Sequence, residues 1–355
     1  MTWLGEQLGR IADDMPERDL AARAIAAHQR RRRNVMALAA AAVAVVTMIA
    51  VTVAVRALPG EPRAAARPSA PPELPVIKVG TLPTAESAPV YVAQSQGYFE
   101  EEGLTVEPVL VTGAGAATPP VEAGRLDLAY TDYVTLFRAN ERGKDFTIVA
   151  GLYRSAPGDL AIVVNARSKI RTVRDLKRKK IAIPNLGGLG QLTVTAALKR
   201  AGLKPRDVMM AEKPYPEMLH ALSAGQFDAA LLVEPFVTVG RERSRIVADA
   251  IPPEFASLPT AGLAATAEWV REHPRTLAAF QRALAKAQRL IANDPRQVRE
   301  VLPTYSKTSP KEAAAMTLGS YPAELDLTEL KRVADLTHAH GLVERPVDLR
   351  GAVGG

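Results

Sequence analysis

Apolar residues are distributed along this chain in three ways. The first is an unbroken run, "VMALAAAAVAVVTMIAVTVAV" over residues 35–55, 21 residues without a charge. At about 1.5 Å rise per residue, a helix of that length crosses a hydrocarbon core of roughly 30 Å. Arg30, Arg31, Arg32 and Arg33 stand directly before it. The positive-inside rule then puts the N-terminus in the cytoplasm and the rest of the chain outside. A cleaved signal peptide is the competing reading, and Ala64, Ala65 and Ala66 offer a cleavage site. The apolar run is longer than the usual signal core of about 7–15 residues, which favours an uncleaved anchor. The expectation is a cytoplasmic tail over 1–33, a transmembrane helix over 34–56, and a proline- and alanine-rich spacer over 57–75.

The second pattern begins at Val76, where short β-branched runs alternate with stretches of helical period. "VIKVG" (76–80), "TVEPVLV" (105–111), "LDLAY" (126–130), "FTIVAGLY" (146–153) and "LAIVVN" (160–165) predict strands. Helices are predicted over 87–99, with Pro89 in the first turn; from "TPPVEAG", with Thr118 as N-cap; and over 133–143. The unit then repeats. Helices at 172–180, 191–202 and 215–226 alternate with strands at 181–184, 207–212 and 227–234. Such alternation is the signature of α/β layers. The third pattern is an apolar stripe at helical spacing over 275–293, 310–319 and 327–341, giving a helical end.

Composition narrows the chemistry. Cysteine is absent, which removes disulfides, thiol nucleophiles and cysteine-ligated metals. The net charge of +7 is concentrated in the arginines at 30–33 and in the basic stretch 171–180. That stretch has no interleaved aromatics, so it reads as a solvated face and not as a nucleic-acid surface. His338 and His340 are two apart and do not share a helix face, so no metal site is expected and no cofactor is called for. Glu100, Glu101 and Glu102 follow the helix breaker Gly97 and read as an exposed turn. "IPNLGGLGQL" (183–192) follows a strand and precedes a helix, as a phosphate loop would. It has neither the Lys-Ser/Thr ending nor the G-x-G-x-x-G spacing of a nucleotide loop.

Three segments carry a specific resemblance. "YVAQSQGYF…EEEGLTVEPV" (91–109), "LVTGAGAATPPVEAGRLDLAYTDYV" (110–134) and "SAGQFDAALLVEPFV" (223–237) are similar, in order and spacing, to blocks of the nitrate/sulfonate/taurine and Thi5-like (NMT1-like) substrate-binding proteins of ABC transporters. The resemblance spans 76–355. It implies the type 2 periplasmic-binding-protein clamshell, an α/β architecture of two Rossmann-like lobes joined by two crossing strands. Lobe one is expected over 76–163 plus 263–355 and lobe two over 164–262, with "DLAIVVN" and "TAGLAAT" as crossings. It further implies one small solute in the inter-lobe cleft, an ABC permease as partner, a monomeric state, and no chemistry performed.

In open α/β sheets ligands bind at the C-terminal ends of the parallel strands. The loops at those ends supply the expected binding residues. They are Thr84, Glu86 and Ser87; Gly113, Ala114, Gly115 and Ala116; Thr131 and Asp132; Asn185, Gly187, Gly188 and Leu189; and Glu234, whose Glu-Pro pair also fits the family blocks. Tyr91, Tyr133, Tyr153 and Phe236 are candidates to stack on a ring, Tyr153 foremost. The glycine loops open helix N-termini, where backbone N–H groups can meet an anion. The same loops hold Glu86, Asp132 and Glu234, with only Lys213 opposed to them. That balance disfavours a bare dianion and favours an amine-bearing, zwitterionic or neutral heteroaromatic solute. An enzyme on the same clamshell remains the alternative, with those three carboxylates as its acid–base groups.

Overall fold

The computed structural model describes residues 70–251 and 258–353. The expected tail, anchor and most of the spacer therefore lie outside the described residues. Among the described residues no helix is long and apolar enough to cross a membrane.

Among the described residues, ten strands form two five-stranded sheets. The first contains β1 (Val76–Thr81), β2 (Thr105–Leu110), β3 (Leu128–Asp132), β4 (Phe146–Arg154) and the late strand β10 (Pro259–Thr266), in the order β2-β1-β3-β10-β4. The second contains β5 (Leu160–Asn165), β6 (Lys180–Ile183), β7 (Met209–Glu212), β8 (Ala229–Val233) and β9 (Ser244–Asp249), in the order β7-β6-β8-β5-β9. Each sheet is built alike. Three strands pair in parallel through helical crossovers, and the fourth in the row runs antiparallel to both neighbours. The expected crossings "DLAIVVN" and "TAGLAAT" are β5 of the second sheet and β10 of the first. β3 and β8 are buried along their whole length, as central strands of sheets covered on both faces must be.

Several local expectations give way to tertiary constraints. The helix predicted over 87–99 is two, Ala88–Ser95 and Tyr98–Glu101, because Gly97 adopts φ +71° between them. The helix assigned to Thr118 as N-cap starts earlier, at Ala114, and carries Pro119 and Pro120 inside it. Burial of Ala114, Ala117 and Val121 outweighs the low helix propensity of the prolines. The basic stretch 172–180 is no helix but one 3-10 turn, Val173–Leu176, closed by reciprocal bonds between Thr172 and Asp175. It is short because β6 already begins at Lys180.

The long helix Pro274–Asn293 packs on Ala88–Ser95 and Tyr98–Glu101 and buries Leu277, Phe280, Leu284 and Ile291. Phe280 stacks on Phe99 with ring centroids 5.3 Å apart. The glutamate turn is tied to this helix and is not simply solvated. Arg282 Nη2 lies 2.7 Å from Glu102, and Lys286 bridges Glu101 and Glu102. The next helix, Arg296–Tyr305, contains Pro303 and escaped the periodicity reading. It brings Tyr305 to the loop after β1, where its hydroxyl donates to the Thr84 carbonyl.

Candidate functional site

The strand ends of both sheets converge on one cavity, with about 420 Å³ of space not filled by protein atoms, part of it open to solvent. Leu82 and Glu86 come from the loop after β1, Gly113 and Ala114 from that after β2, and Tyr130 and Asp132 from the end of β3. Pro184, Asn185 and Leu189 follow β6, and Tyr215 follows β7. The two glycine loops meet here. A Cβ on Gly113 would lie 3.7 Å from the Pro184 carbonyl oxygen, and one on Gly115 3.6 Å from Asn185 Cβ.

Two buried carboxylates, Glu86 and Asp132, line this space, and two more buried ones act on them by charge, Asp159 on Glu86 and Glu234 on Asp159. Glu86 accepts the Tyr130 hydroxyl on Oε2 at 2.8 Å. Burial pushes its carboxyl up to about 7, the charges of Asp159 and Asp132 add to the rise, and the Tyr130 bond opposes it. Asp159 sits where the chain passes from β4 to β5. Its Oδ2 accepts Tyr153 Oη at 2.7 Å and the Ala156 N–H at 2.9 Å. Its Oδ1 is buried without a hydrogen-bond partner. Burial raises this carboxyl to about 7 as well, with Asp249 and Glu234 contributing. Burial also raises Asp132, against the bonds it accepts from Thr135 and Leu189, and raises Glu234, against those from Thr238 and Thr317. No lysine or arginine lines the inner cavity. Arg138, Arg142, Lys144 and Lys213 line the groove at its mouth, where Lys144 pairs with Glu122 and Lys213 with Glu217. The site is thus acidic within and basic at its rim.

Of the residues expected from sequence, Glu86, Gly113, Ala114, Asp132, Asn185 and Leu189 line the inner cavity. Gly115, Ala116 and Gly187 line the outer groove. The others stand behind these walls. Ser87 Oγ accepts from Leu82 N at 3.0 Å and shapes the first loop. The carbonyls of Thr84 and Ala85 accept the hydroxyls of Tyr305 and Tyr321 at 2.9 and 3.1 Å. Thr131 Oγ1 donates to the Asp132 carbonyl at 3.0 Å. Glu234, after β8 of the second sheet, ties that sheet to the loop after β1 of the first: its carbonyl accepts Ala85 N at 3.1 Å, while its carboxylate takes Thr238 Oγ1 and Thr317 N.

The proposed stacking residues are occupied within the fold. Tyr91 stacks on Tyr305 at 3.7 Å, Tyr133 Oη donates to the Ala261 carbonyl, and Tyr153 is fixed between Asp159 and the Gly319 N–H. Phe236 backs Tyr215 at 6.1 Å. The aromatic walls are instead Tyr130 and Tyr215. Tyr130 closes the predicted strand "LDLAY" and Tyr215 opens a predicted helix, so position at a strand end was the signal available for both. Asp159 gave no such signal, because only the fold brings its charge within reach of Glu86. Among the described residues no group of three or more metal-ligating side chains lies close enough to hold an ion.

A family model described as NMT1/THI5 like matches residues 84–298. The 4-amino-5-hydroxymethyl-2-methylpyrimidine phosphate synthase THI13 of Saccharomyces cerevisiae is 24% identical over 60% of this chain and 65% of its own length. The chain thus spans less than two thirds of that relative. The nitrate import ATP-binding protein NrtC of Synechococcus elongatus is 28% identical over 62% of this chain and 36% of its own. Among solved structures, the alkanesulfonate-binding protein SsuA of Xanthomonas axonopodis, bound to MOPS, superposes with a TM-score of 0.66 at 20% identity, covering 78% of this chain and 96% of that one. The two-sheet α/β fold is therefore that of periplasmic binding proteins.

Proposed function

The chain belongs to the NMT1/THI5-like family, and from that premise we propose that it is an extracytoplasmic receptor for a small organic solute, which it delivers to an ABC importer. The uncharged run 35–55 would tether it to the membrane as a single-pass anchor. The solute is an amine-bearing or neutral heteroaromatic molecule rich in hydrogen-bond donors. One observation carries this reading: the inner cavity places buried Glu86 and Asp132 beside Tyr130 and Tyr215 with no cation among them. A sulfonate or nitrate group there would meet like charge at low dielectric without a guanidinium or ammonium to offset it. Donor groups would instead find carboxylate acceptors, and a planar ring would find tyrosine faces.

Titration calorimetry of the full chain against amines, pyrimidines, flavins, sulfonates and nitrate tests the proposal. Saturable binding of an amine or heterocycle, weakened at least tenfold by Glu86→Gln, is expected. Binding confined to sulfonate or nitrate would refute the solute class, and silence across the whole set would refute the receptor. A catalytic reading draws its support from fungal relatives named as pyrimidine phosphate synthases. It predicts a heterocyclic product whose formation stops in Glu86→Gln while solute binding persists.

A further inference from the structure

The glycine loop "IPNLGGLGQL" offers its helix end to no outside group, because the chain fills that end itself. Asp132 closes β3 in the first lobe and caps its own helix, Tyr133–Glu141, accepting Thr135 N on Oδ1 at 2.8 Å. The same Oδ1 accepts from the other lobe the N–H of Leu189 at 2.9 Å. Leu189 is the first residue of the helix Leu189–Arg200, whose N-cap, Gly188, has no side chain to satisfy it. Oδ2 takes the Thr135 hydroxyl at 2.7 Å, and that oxygen in turn accepts Asn185 Nδ2 at 2.9 Å. One buried carboxylate therefore caps a helix in each lobe and closes a chain of bonds between them. Both helix ends carry partial positive charge, and bonds to an ionised acceptor are the stronger class.

The backbone opposite is shaped for this contact. A Cβ on Gly188 would stand 2.2 Å from Asn185 Nδ2, 2.6 Å from Thr135 Oγ1 and 3.0 Å from Asp132 Oδ2. Gly187, at φ +77°, passes so near Arg138 that a Cβ would overlap its guanidinium, which donates to the Leu186 carbonyl at 3.3 Å. Any side chain at 188 would displace Asn185, Thr135 and Asp132 from the contact.

We infer that Asp132 is a tethered anion that latches the lobes together and denies this helix end to anionic solutes. The inference rests on the receptor reading only in taking the lobes to open and close. It makes Asp132 a residue that sets both the closure of the lobes and the charge of the solute accepted.

The absence of cysteine in the chain allows spin labels to be placed at introduced sites alone. Arg142→Cys and Glu217→Cys, both exposed and one on each lobe, report the inter-lobe distance in the full chain by pulsed EPR. Without solute, a short and narrow distribution is expected, unchanged by millimolar methanesulfonate. Asp132→Ala should lengthen and broaden it, and methanesulfonate should then shorten it again. Gly188→Ala keeps the carboxylate but wedges the contact, and should broaden the distribution too, so it carries the test if Asp132→Ala fails to fold. An Asp132→Ala distribution as short and narrow as the parent's would overturn the latch. An open variant that ignores methanesulfonate, or a parent that binds it equally well, would overturn the exclusion of anions. The distances are read without solute, so a chain that binds nothing yet opens on Asp132→Ala would sink the receptor and leave the latch standing.

Discussion

Glu86 shows how much one buried carboxyl can set. In an unfolded chain it titrates near its ordinary 4.5, whereas in the fold burial raises it to about 7. Below 4.5 both states hold the proton and the native state pays no desolvation cost. Between 4.5 and 7 the native state holds more protons than the unfolded one, so stability falls as pH rises through that window. A shift of this size corresponds to roughly 3 kcal/mol at about 1.4 kcal/mol per unit. Thermal midpoints should therefore be higher at pH 5 than at pH 7.5, and Glu86→Gln should flatten the slope. An unchanged slope in the variant would show that Glu86 is not the titrating group. The charge of Asp159, itself raised to about 7, adds to the rise at Glu86, so Asp159→Asn should flatten the slope further, and Asp132 and Glu234, raised by burial too, contribute the rest.

Helices and strands place these residues, and the elements depend on packing more than on propensity. The helix Ala114–Glu122 tolerates two internal prolines because its alanine face is buried. The helix Pro274–Asn293 supports the first lobe through Phe280, which is fully buried against Phe99. Phe280→Ala should cost about 3–5 kcal/mol in denaturant unfolding, with the loss felt in the loop carrying Glu86, which rests on Ala88–Ser95. A cost under about 1 kcal/mol would mean that the helix is held by its ion pairs to Glu101 and Glu102 instead. Their basic partners are half exposed, and pairs open to solvent contribute little.

At the scale of the whole molecule, an acidic interior and a basic rim make binding depend on pH. A cationic solute prefers the ionised carboxyls, so its affinity should rise with pH up to about 7 and level off above. For one coupled proton the gain is on the order of tenfold per pH unit. Calorimetry at pH 6 and pH 7.5 checks this: a neutral heterocycle would show a flat or opposite dependence, and so would identify itself as the better ligand.

Much of this protein is decided by local pattern. The α/β alternation from Val76, the repeated block and the helical end follow from the period of apolar positions, and the strand-end loops carrying Glu86, Gly113, Asp132 and Asn185 could be named from it. Period is a local property, since it depends on which face of an element is buried. What the loops do to one another is not local. That Asp132 spends its carboxylate on Leu189, 57 positions away, that the charge of Asp159 reaches Glu86, and that Tyr130 and Tyr215 rather than Tyr91 and Tyr153 face the cavity are consequences of two sheets closing on each other. Only that closure removes water from the carboxyls. The acidity of the residues was written in the sequence, but the charge they hold and the partners they choose were settled by burial in the tertiary structure.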